Sequence, residues 1–326
     1  MNPRCSRCPW RASASRVPAA LLVLIGLAGA WAADAPKPAA VLGSNDVVAF
    51  VGGEDVVAFQ GNGYLELLLT TALKTQTPRF RYLAVEGDTV FEQARQLNFP
   101  PWEDVLRRVG ATVVVCQFGQ AESLKGSGGR VAFASAYEKL IDRLGGRAGM
   151  RRVILVSPTP FEAMPDLSFE PKGRNSELAA YVSAVRDLAR KQGHTFIDVF
   201  HPLSDQRATL TRDGIHLNAA GHWMMAREVS RQLGLSVETP ARPDPRNGAL
   251  TPPPFEALRQ AIVGKNRLWF DYWRPQNWAF LHGDRTEQAS SRDHRDPKVR
   301  WFPVEMEKFL PLIAAKEQEI ATLVKK

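Results

Sequence analysis

The segment Asp213-Gly214-Ile215-His216 contains the two side chains whose types and spacing best suit acid–base chemistry. A histidine titrates near neutral pH, so it can take a proton from a nucleophile when a neighbouring carboxylate orients its ring. In one class of hydrolases this arrangement activates a serine that attacks an ester carbonyl. The sequence therefore predicts a catalytic base at His216, with Asp213 as its orienting acid.

Short apolar runs alternate with amphipathic stretches between residues 45 and 235, a pattern that indicates a parallel sheet with helices on both faces. We predict strands at residues 47–51, 81–85, 112–117, 153–157 and 195–199, and helices at residues 63–73, 102–109, 132–144, 175–192 and 219–233. The carboxyl ends of parallel strands meet at one edge of the sheet, so residues that follow the strands are expected to share one crevice.

Three segments that follow predicted strands lie in a fixed order before Asp213 and His216. They are Gly52-Gly53-Glu54, Glu86-Gly87-Asp88-Thr89 and Phe118-Gly119-Gln120-Ala121-Glu122. In order, spacing and local sequence, residues 45–235 resemble the SGNH hydrolases, also called the GDSL family. The resemblance implies a flavodoxin-like three-layer α/β/α sandwich with a five-stranded parallel sheet. It also implies cleavage of esters of acyl groups on lipids or carbohydrates.

The remainder of the chain changes in composition after residue 235. Residues 237–254 are rich in proline and predict a linker, and residues 255–326 have helical spacing of apolar residues. This tail resembles that of an exported GDSL subgroup of planctomycete-type bacteria, on the motifs Lys265-Asn266, Arg274-Pro275-Gln276-Asn277 and residues 313–323. We therefore expect a helical extension packed on the hydrolase-like domain.

Two positions depart from the family pattern. Glu54 occupies the place of the nucleophilic serine, and Ala121 the place of the asparagine that donates to the oxyanion. Gly87 matches the glycine whose N–H completes the oxyanion hole in the family. Losing one oxyanion donor typically lowers the rate about 100- to 1,000-fold. We therefore predict lost or strongly reduced serine esterase activity, with a remaining crevice for a small-molecule or carbohydrate ester.

Glu54 has two interpretations. A carboxylate beside His216 would hold the imidazole protonated, which predicts an ion pair between Glu54 and His216 in a disused site. Alternatively, Glu54 could act as a nucleophile, or could join Asp55 and His216 as a metal ligand. The first interpretation needs fewer assumptions, so no metal and no cofactor are predicted. Two further hypotheses stay open: a hydrolase in which Asp213 and His216 activate water or an atypical nucleophile, and a non-catalytic structural protein of the envelope.

Residues 1–32 have the composition of a secretory signal peptide, with four arginines before an apolar run and a small-residue cleavage pattern at its end. The run is about 14 residues, whereas a membrane-spanning helix needs about 20. Export to the periplasm or medium is predicted, with membrane attachment only through an uncleaved signal. Its removal lowers the formal net charge from +8 to +4, so no nucleic-acid partner is predicted. Cys116, the one cysteine left, is expected to be a buried apolar residue.

Overall fold

The computed structural model describes residues 41–325 except residues 94, 96, 97, 165–170 and 236. The predicted signal peptide at residues 1–32 lies outside the described residues. Within them, no helix has the length and apolar character needed to cross a membrane.

A five-stranded sheet forms the centre of the described chain. All of its neighbouring strands are parallel, in the order β2-β1-β3-β4-β5. The strands are β1 (Val47–Gly52), β2 (Arg79–Tyr82), β3 (Val113–Gln117), β4 (Arg152–Val156) and β5 (Thr195–Ile197). Their valine- and isoleucine-rich runs suit a sheet covered on both faces, and β1 and β3 are buried at every position. The predicted parallel sheet is confirmed.

Twelve α-helices are present in the described residues. They are α1 (Glu54–Asn62), α2 (Tyr64–Leu73), α3 (Trp102–Val109), α4 (Gln120–Ser123), α5 (Arg130–Ile141), α6 (Asn175–Gln192), α7 (Phe200–Ser204), α8 (Ala219–Gln232), α9 (Pro253–Trp273), α10 (Ala279–His282), α11 (Trp301–Glu307) and α12 (Phe309–Leu323). Helices α1, α2 and α8 contact one another in one layer, and α5 contacts α6 in the other. The result is the predicted three-layer α/β/α sandwich.

The helix α1 is absent from the sequence-based prediction, which begins the first helix only at residue 63. Gly63 separates α1 from α2 with φ of 71°, a left-handed conformation that glycine adopts without strain. The segment between β1 and Gly63 has little amphipathic pattern, so its helical form comes from packing of Val56 and Phe59 into the core. This helix matters for function because it begins at Glu54.

The C-terminal region packs against the sheet edge and the first two helices. The proline-rich segment includes a short antiparallel ribbon of β6 (Arg242–Pro243) and β7 (Leu250–Thr251). Helix α9 contacts α1, α2, β2 and α12. Lys265 of α9 pairs with Glu66 of α2 at 2.8 Å, and both side chains are almost fully buried. Trp269 adds a hydrogen bond from its Nε1 to the carbonyl oxygen of Tyr82 at 2.9 Å.

Candidate active site

A small crevice opens at the carboxyl ends of β1 and β3, where the order of strands in the sheet reverses. This is the place at which open parallel sheets bind ligands. The crevice has a volume of about 90 Å³. The side chains and backbone that line it come from the three segments that the sequence singles out, from the adjacent Asp55 and Gln117, and from Pro158. The residues of the three segments are Gly53, Glu54, Gly87, Asp88, Phe118, Gly119, Gln120, Ala121 and Glu122. Glu54, Gly87 and Ala121 therefore share one crevice.

Asp213 and His216 form the hydrogen-bonded pair that the sequence predicts. The Nδ1 atom of His216 lies 2.6 Å from Oδ2 of Asp213, and Oδ1 of Asp213 accepts the backbone N–H of His216 at 2.7 Å. Burial opposes ionisation of Asp213, but the hydrogen bonds from His216 and Ile215 outweigh it and lower its pKa. The carboxylate is therefore ionised at neutral pH and orients the imidazole, leaving Nε2 as the nitrogen able to accept a proton.

The loop of this pair is held by a dense set of hydrogen bonds. The carboxylate of Glu162 accepts the backbone N–H groups of Leu210 and Thr211 and the Thr211 hydroxyl, all within 3.0 Å. Gly214 has φ of 83°, and its backbone N–H donates to Oγ1 of Thr211 at 3.0 Å. A Cβ at Gly214 would lie 2.8 Å from Cγ of Met164, so only glycine fits here.

Glu54 lies at the first position of α1, directly after Gly53. Its side chain is exposed and forms no hydrogen bond or ion pair with any residue that the structure describes. The ion pair predicted between Glu54 and His216 is therefore wrong. The physical reason is that an acidic residue in the first turn of a helix is already stabilised by the helix dipole and by water. The position that the resemblance aligns with the family's serine thus presents an exposed carboxylate to solvent.

Asp55, the neighbouring carboxylate, is coupled electrostatically to His216, with no hydrogen bond between the two among the described residues. Burial raises the pKa of Asp55 to about 6, although a hydrogen bond from Thr159 and the charge of His216 both favour the ionised form. The Thr159 hydroxyl donates to Oδ2 of Asp55 at 2.6 Å and accepts from Nε2 of Gln120 at 3.0 Å. Nε2 of Gln120 also lies 3.5 Å from the carbonyl oxygen of Ile215. This chain of hydrogen bonds connects the first turn of α1, which contains Asp55, with the loop of His216.

The side of the crevice that the resemblance aligns with an oxyanion hole is lined by Gly87, Gly119 and Ala121. Gly87 has φ of 77° and Gly119 φ of 126°, conformations that position backbone N–H groups and exclude most other residues. The buried carboxylate of Glu122 accepts the N–H of Gly119 at 2.9 Å and that of Val90 at 2.8 Å, which joins the second and third segments. Ala121 is exposed in the crevice and has no group that can donate.

A metal site is not supported by the arrangement of ligating side chains. Within the part of the chain that the structure describes, no three His, Cys, Asp or Glu side chains are close enough together to hold an ion. Glu54, Asp55 and His216 thus do not form the ligand set considered from the sequence. Cys116 lies on β3 and is fully buried, and burial raises the pKa of its thiol, so the expectation of an inert core residue is confirmed.

Three residues of the site have roles that the sequence-based prediction does not assign: Asp55 accepts a hydrogen bond from Thr159, and Thr159 and Gln120 bridge Asp55 to the loop of His216. Thr159 follows β4 and Gln120 follows β3, so the rule that strand ends converge would include both. Their bonds depend on side-chain geometry that spacing does not reveal.

The C-terminal tail also reaches this edge of the sheet, because Arg274 pairs with Glu86 beside Gly87 at 2.6 Å.

Comparison with known proteins assigns both the family and the fold. The model of the GDSL-like lipase/acylhydrolase family matches residues 41–224, which is more than half of the chain. None of the curated proteins matches the sequence significantly. Among solved structures, a gut microbial diltiazem-metabolizing enzyme shares 14% identity with a TM-score of 0.57, over 87% of this chain and 94% of its own.

Two further solved structures show weaker overall similarity. A catalytic mutant of an acetylxylan esterase from Geobacillus stearothermophilus shares 18% identity with a TM-score of 0.48, over 61% of this chain and 99% of its own. An alpha/beta hydrolase from the metagenome of Lake Arreo, Spain, shares 17% identity with a TM-score of 0.49, over 60% of this chain and 99% of its own. On its sequence match and its sandwich fold, this chain belongs to the GDSL-like lipase/acylhydrolase family.

Proposed function

We propose that this protein is a GDSL-family member without serine-dependent ester hydrolysis, which binds a small acylated ligand in the crevice of Gly53, Gly87 and Ala121. The observation that supports this most strongly is the exposed carboxylate of Glu54 at the first position of α1, where the family has its nucleophile. Glu54 has no hydrogen bond to His216, so the imidazole has no nucleophile to deprotonate within the described residues.

Two physical effects oppose the ordinary reaction at this site. Attack on an ester creates a negative oxygen, and the fixed charge of Glu54 in the wall of the crevice repels it. The missing donor at Ala121 removes stabilisation worth about 100- to 1,000-fold in rate. The well-formed Asp213 and His216 pair therefore lacks both the group that it would activate and one group that would stabilise the product of attack.

The size of the crevice limits the part of a ligand that can enter it. Sites that enclose whole drug-sized molecules have volumes of about 300 to 1,000 Å³. The crevice has about 90 Å³, so it accommodates a small acyl group such as acetyl while the alcohol or sugar stays outside. The backbone N–H of Gly87 is suited to the carbonyl oxygen of that group, whereas the N–H of Gly119 already donates to Glu122.

A second function is favoured by Asp55. Its pKa of about 6 and its electrostatic coupling to His216 are properties of a general base, and it lines the crevice. Under this alternative, Asp55 or His216 deprotonates a water molecule that attacks the bound ester directly. The oxygen of water then replaces the serine oxygen, and hydrolysis proceeds without a covalent intermediate. Such a reaction would depend on Asp55, whereas serine-type hydrolysis would not.

A binding experiment with a product assay separates the two functions. Acetylated xylobiose and unacetylated xylobiose are titrated into the protein by calorimetry, and acetate release is followed by proton NMR. We expect tighter binding of the acetylated sugar, with acetate release at the rate of the protein-free blank. Ala121→Trp should abolish this preference by filling the crevice, while Leu124→Trp, at an exposed position outside it, should not.

The outcomes distinguish the hypotheses. Acetate release above the blank that is lost in Asp55→Asn and in His216→Ala would establish the water-activation alternative. Equal binding of both sugars, unaffected by Ala121→Trp, would contradict an acyl-binding crevice and leave a structural role. Binding with the acetyl preference and no release would support the proposal.

A further inference from the structure

A second and larger cavity lies between the sheet edge and the C-terminal helices. It has a volume of about 630 Å³, against about 90 Å³ for the crevice, and the two share no lining residue. Its walls come from β2, α3, α9, α11 and α12. Packed protein interiors contain few voids larger than a water molecule, and ligand sites span about 300 to 1,000 Å³. The volume is therefore that of a small-molecule site.

One wall of this cavity, here called the aromatic wall, consists of Phe99, Trp269, Tyr272 and Trp273. Trp269 is fixed from both sides, because its Nε1 donates to the backbone of Tyr82 and the guanidinium of Arg81 lies 4.8 Å from its ring centroid. Phe99 packs edge-on against Trp273 with centroids 6.2 Å apart. Fixed aromatic surfaces of this kind bind flat apolar groups with little loss of side-chain entropy.

The charge on the lining is positive. Four arginines line the cavity against two glutamates: Arg79, Arg81, Arg108, Arg300, Glu307 and Glu317. Arg81 is neutralised by Glu317 at 2.7 Å, and Arg300 donates to the backbone carbonyls of Phe280 and Leu281. Arg79 and Arg108 have no carboxylate partner among the described residues.

Arg108 is presented by a neutral imidazole. Its Nη1 lies 3.2 Å from Nδ1 of His282. Burial lowers the pKa of His282 to about 4, and the charges of Arg108 and Arg300 act in the same direction. At neutral pH the ring is therefore uncharged, and it leaves the positive charge of Arg108 without a counter-charge. The rest of the guanidinium fork remains available to a carboxylate.

We propose that this cavity is a binding site for an aromatic carboxylate, with the ring system against the aromatic wall and the carboxylate paired with Arg108. The site does not depend on the function proposed for the crevice. An anion completes the pairing of Arg108, and an apolar body covers the partly exposed rings of Phe99 and Tyr272, which line the cavity together with the buried Trp269 and Trp273. A neutral ligand of the same shape would satisfy only the second requirement.

Calorimetric titration of the full chain with 2-naphthoate and with 2-naphthamide tests this site. We expect 2-naphthoate to bind at least about tenfold more tightly than the uncharged amide, which corresponds to one charge-assisted hydrogen bond. Arg108→Gln should weaken 2-naphthoate by about tenfold and leave 2-naphthamide unchanged. The matched control is Arg107→Gln, because Arg107 is exposed on the same helix as Arg108 but lies outside the cavity lining and is paired with Asp104.

A second pair of variants tests the cavity without changing charge. Ala314→Trp places a ring into the cavity from an exposed position of α12 and should block both ligands, whereas Ala315→Trp on the same helix is outside the lining and should block neither. Equal binding of acid and amide, insensitivity to Arg108→Gln, or no binding of 2-naphthoate at millimolar concentration would each overturn the proposal. None of these outcomes bears on ester binding in the crevice.

Discussion

The loop of Asp213 and His216 and the turn of Gly53 and Glu54 are linked through Asp55, Thr159 and Gln120, yet they differ in construction. The loop is held by many hydrogen bonds, from the 2.6 Å contact of its acid and base to the bonds that the carboxylate of Glu162 accepts from Leu210 and Thr211. The turn presents an exposed carboxylate without a protein partner in the described chain. A well-ordered acid–base pair therefore does not by itself establish esterase activity, which also requires a nucleophile beside the base.

The largest expected effect comes from placing the family's residues at positions 54 and 121, in the crevice. Glu54→Ser together with Ala121→Asn supplies a hydroxyl and an oxyanion donor, so hydrolysis of 4-nitrophenyl acetate should increase by about 100-fold or more over the parent protein. The increase must disappear when His216→Ala is added, because the new serine needs its base. A double variant no faster than the parent would show that the Asp213 and His216 loop is not positioned for catalysis.

A substitution in the loop of Asp213 and His216 should reduce the stability of the protein. Gly214→Ala places a Cβ against Met164 and the carbonyl oxygen of Glu162 at a φ of 83°, and we expect a loss of about 3 kcal/mol in the free energy of unfolding. Gly87→Ala is the control, because its φ is similar but no atom lies within 4 Å of the added Cβ. Urea unfolding measures both. Equal losses in the free energy of unfolding would mean that Gly214 and Gly87 are packed equally tightly.

Asp55 should make the folded protein less stable as its carboxyl ionises. Its folded pKa of about 6 exceeds the value of about 3.9 expected in the unfolded chain, so the folded state binds the proton more tightly. The stability that the protonated Asp55 carboxyl contributes is therefore fully present below about pH 4, and it is lost as the pH rises through about 6. Asp55→Asn should remove this dependence and raise the free energy of unfolding at pH 7 by about 2 kcal/mol.

Urea unfolding between pH 4 and pH 7 measures this effect. Glu54→Gln is the matched control, since the neighbouring carboxylate is exposed and its removal should change stability by less than about 0.5 kcal/mol. A decrease in stability for Asp55→Asn at pH 7 would contradict the account in which ionisation of the Asp55 carboxyl destabilises the folded protein.

Much of the fold could be predicted from sequence because its determinants are local. The apolar runs of β1 and β3 and the amphipathic pattern of α6 and α8 indicate strands and helices directly, and parallel strand ends then converge. The order of the segments around Glu54, Gly87 and Ala121 predicts that they share a crevice. Helix α1 was missed because tertiary packing of Val56 and Phe59, rather than periodicity, makes it helical.

The ion pair predicted between Glu54 and His216 was wrong for a similar reason. Glu54 and Asp55 are adjacent, and composition cannot tell which of two neighbouring carboxylates is held in the site by a side-chain hydrogen bond. The first turn of α1 leaves Glu54 in solvent and directs Asp55 to Thr159, 104 residues later in the sequence. The cavity beside α9 was also inaccessible to prediction, since its walls are brought together only by the packing of the tail on β2.

The most direct test of the central claim compares ester hydrolysis by the parent protein and by His216→Ala. Release of 4-nitrophenolate from 4-nitrophenyl acetate is followed at pH 8, with both proteins verified as folded by circular dichroism. We predict equal rates for the two proteins, because His216 has no serine to activate. A parent rate well above background that His216→Ala abolishes would contradict the claim that the site has lost its serine esterase function.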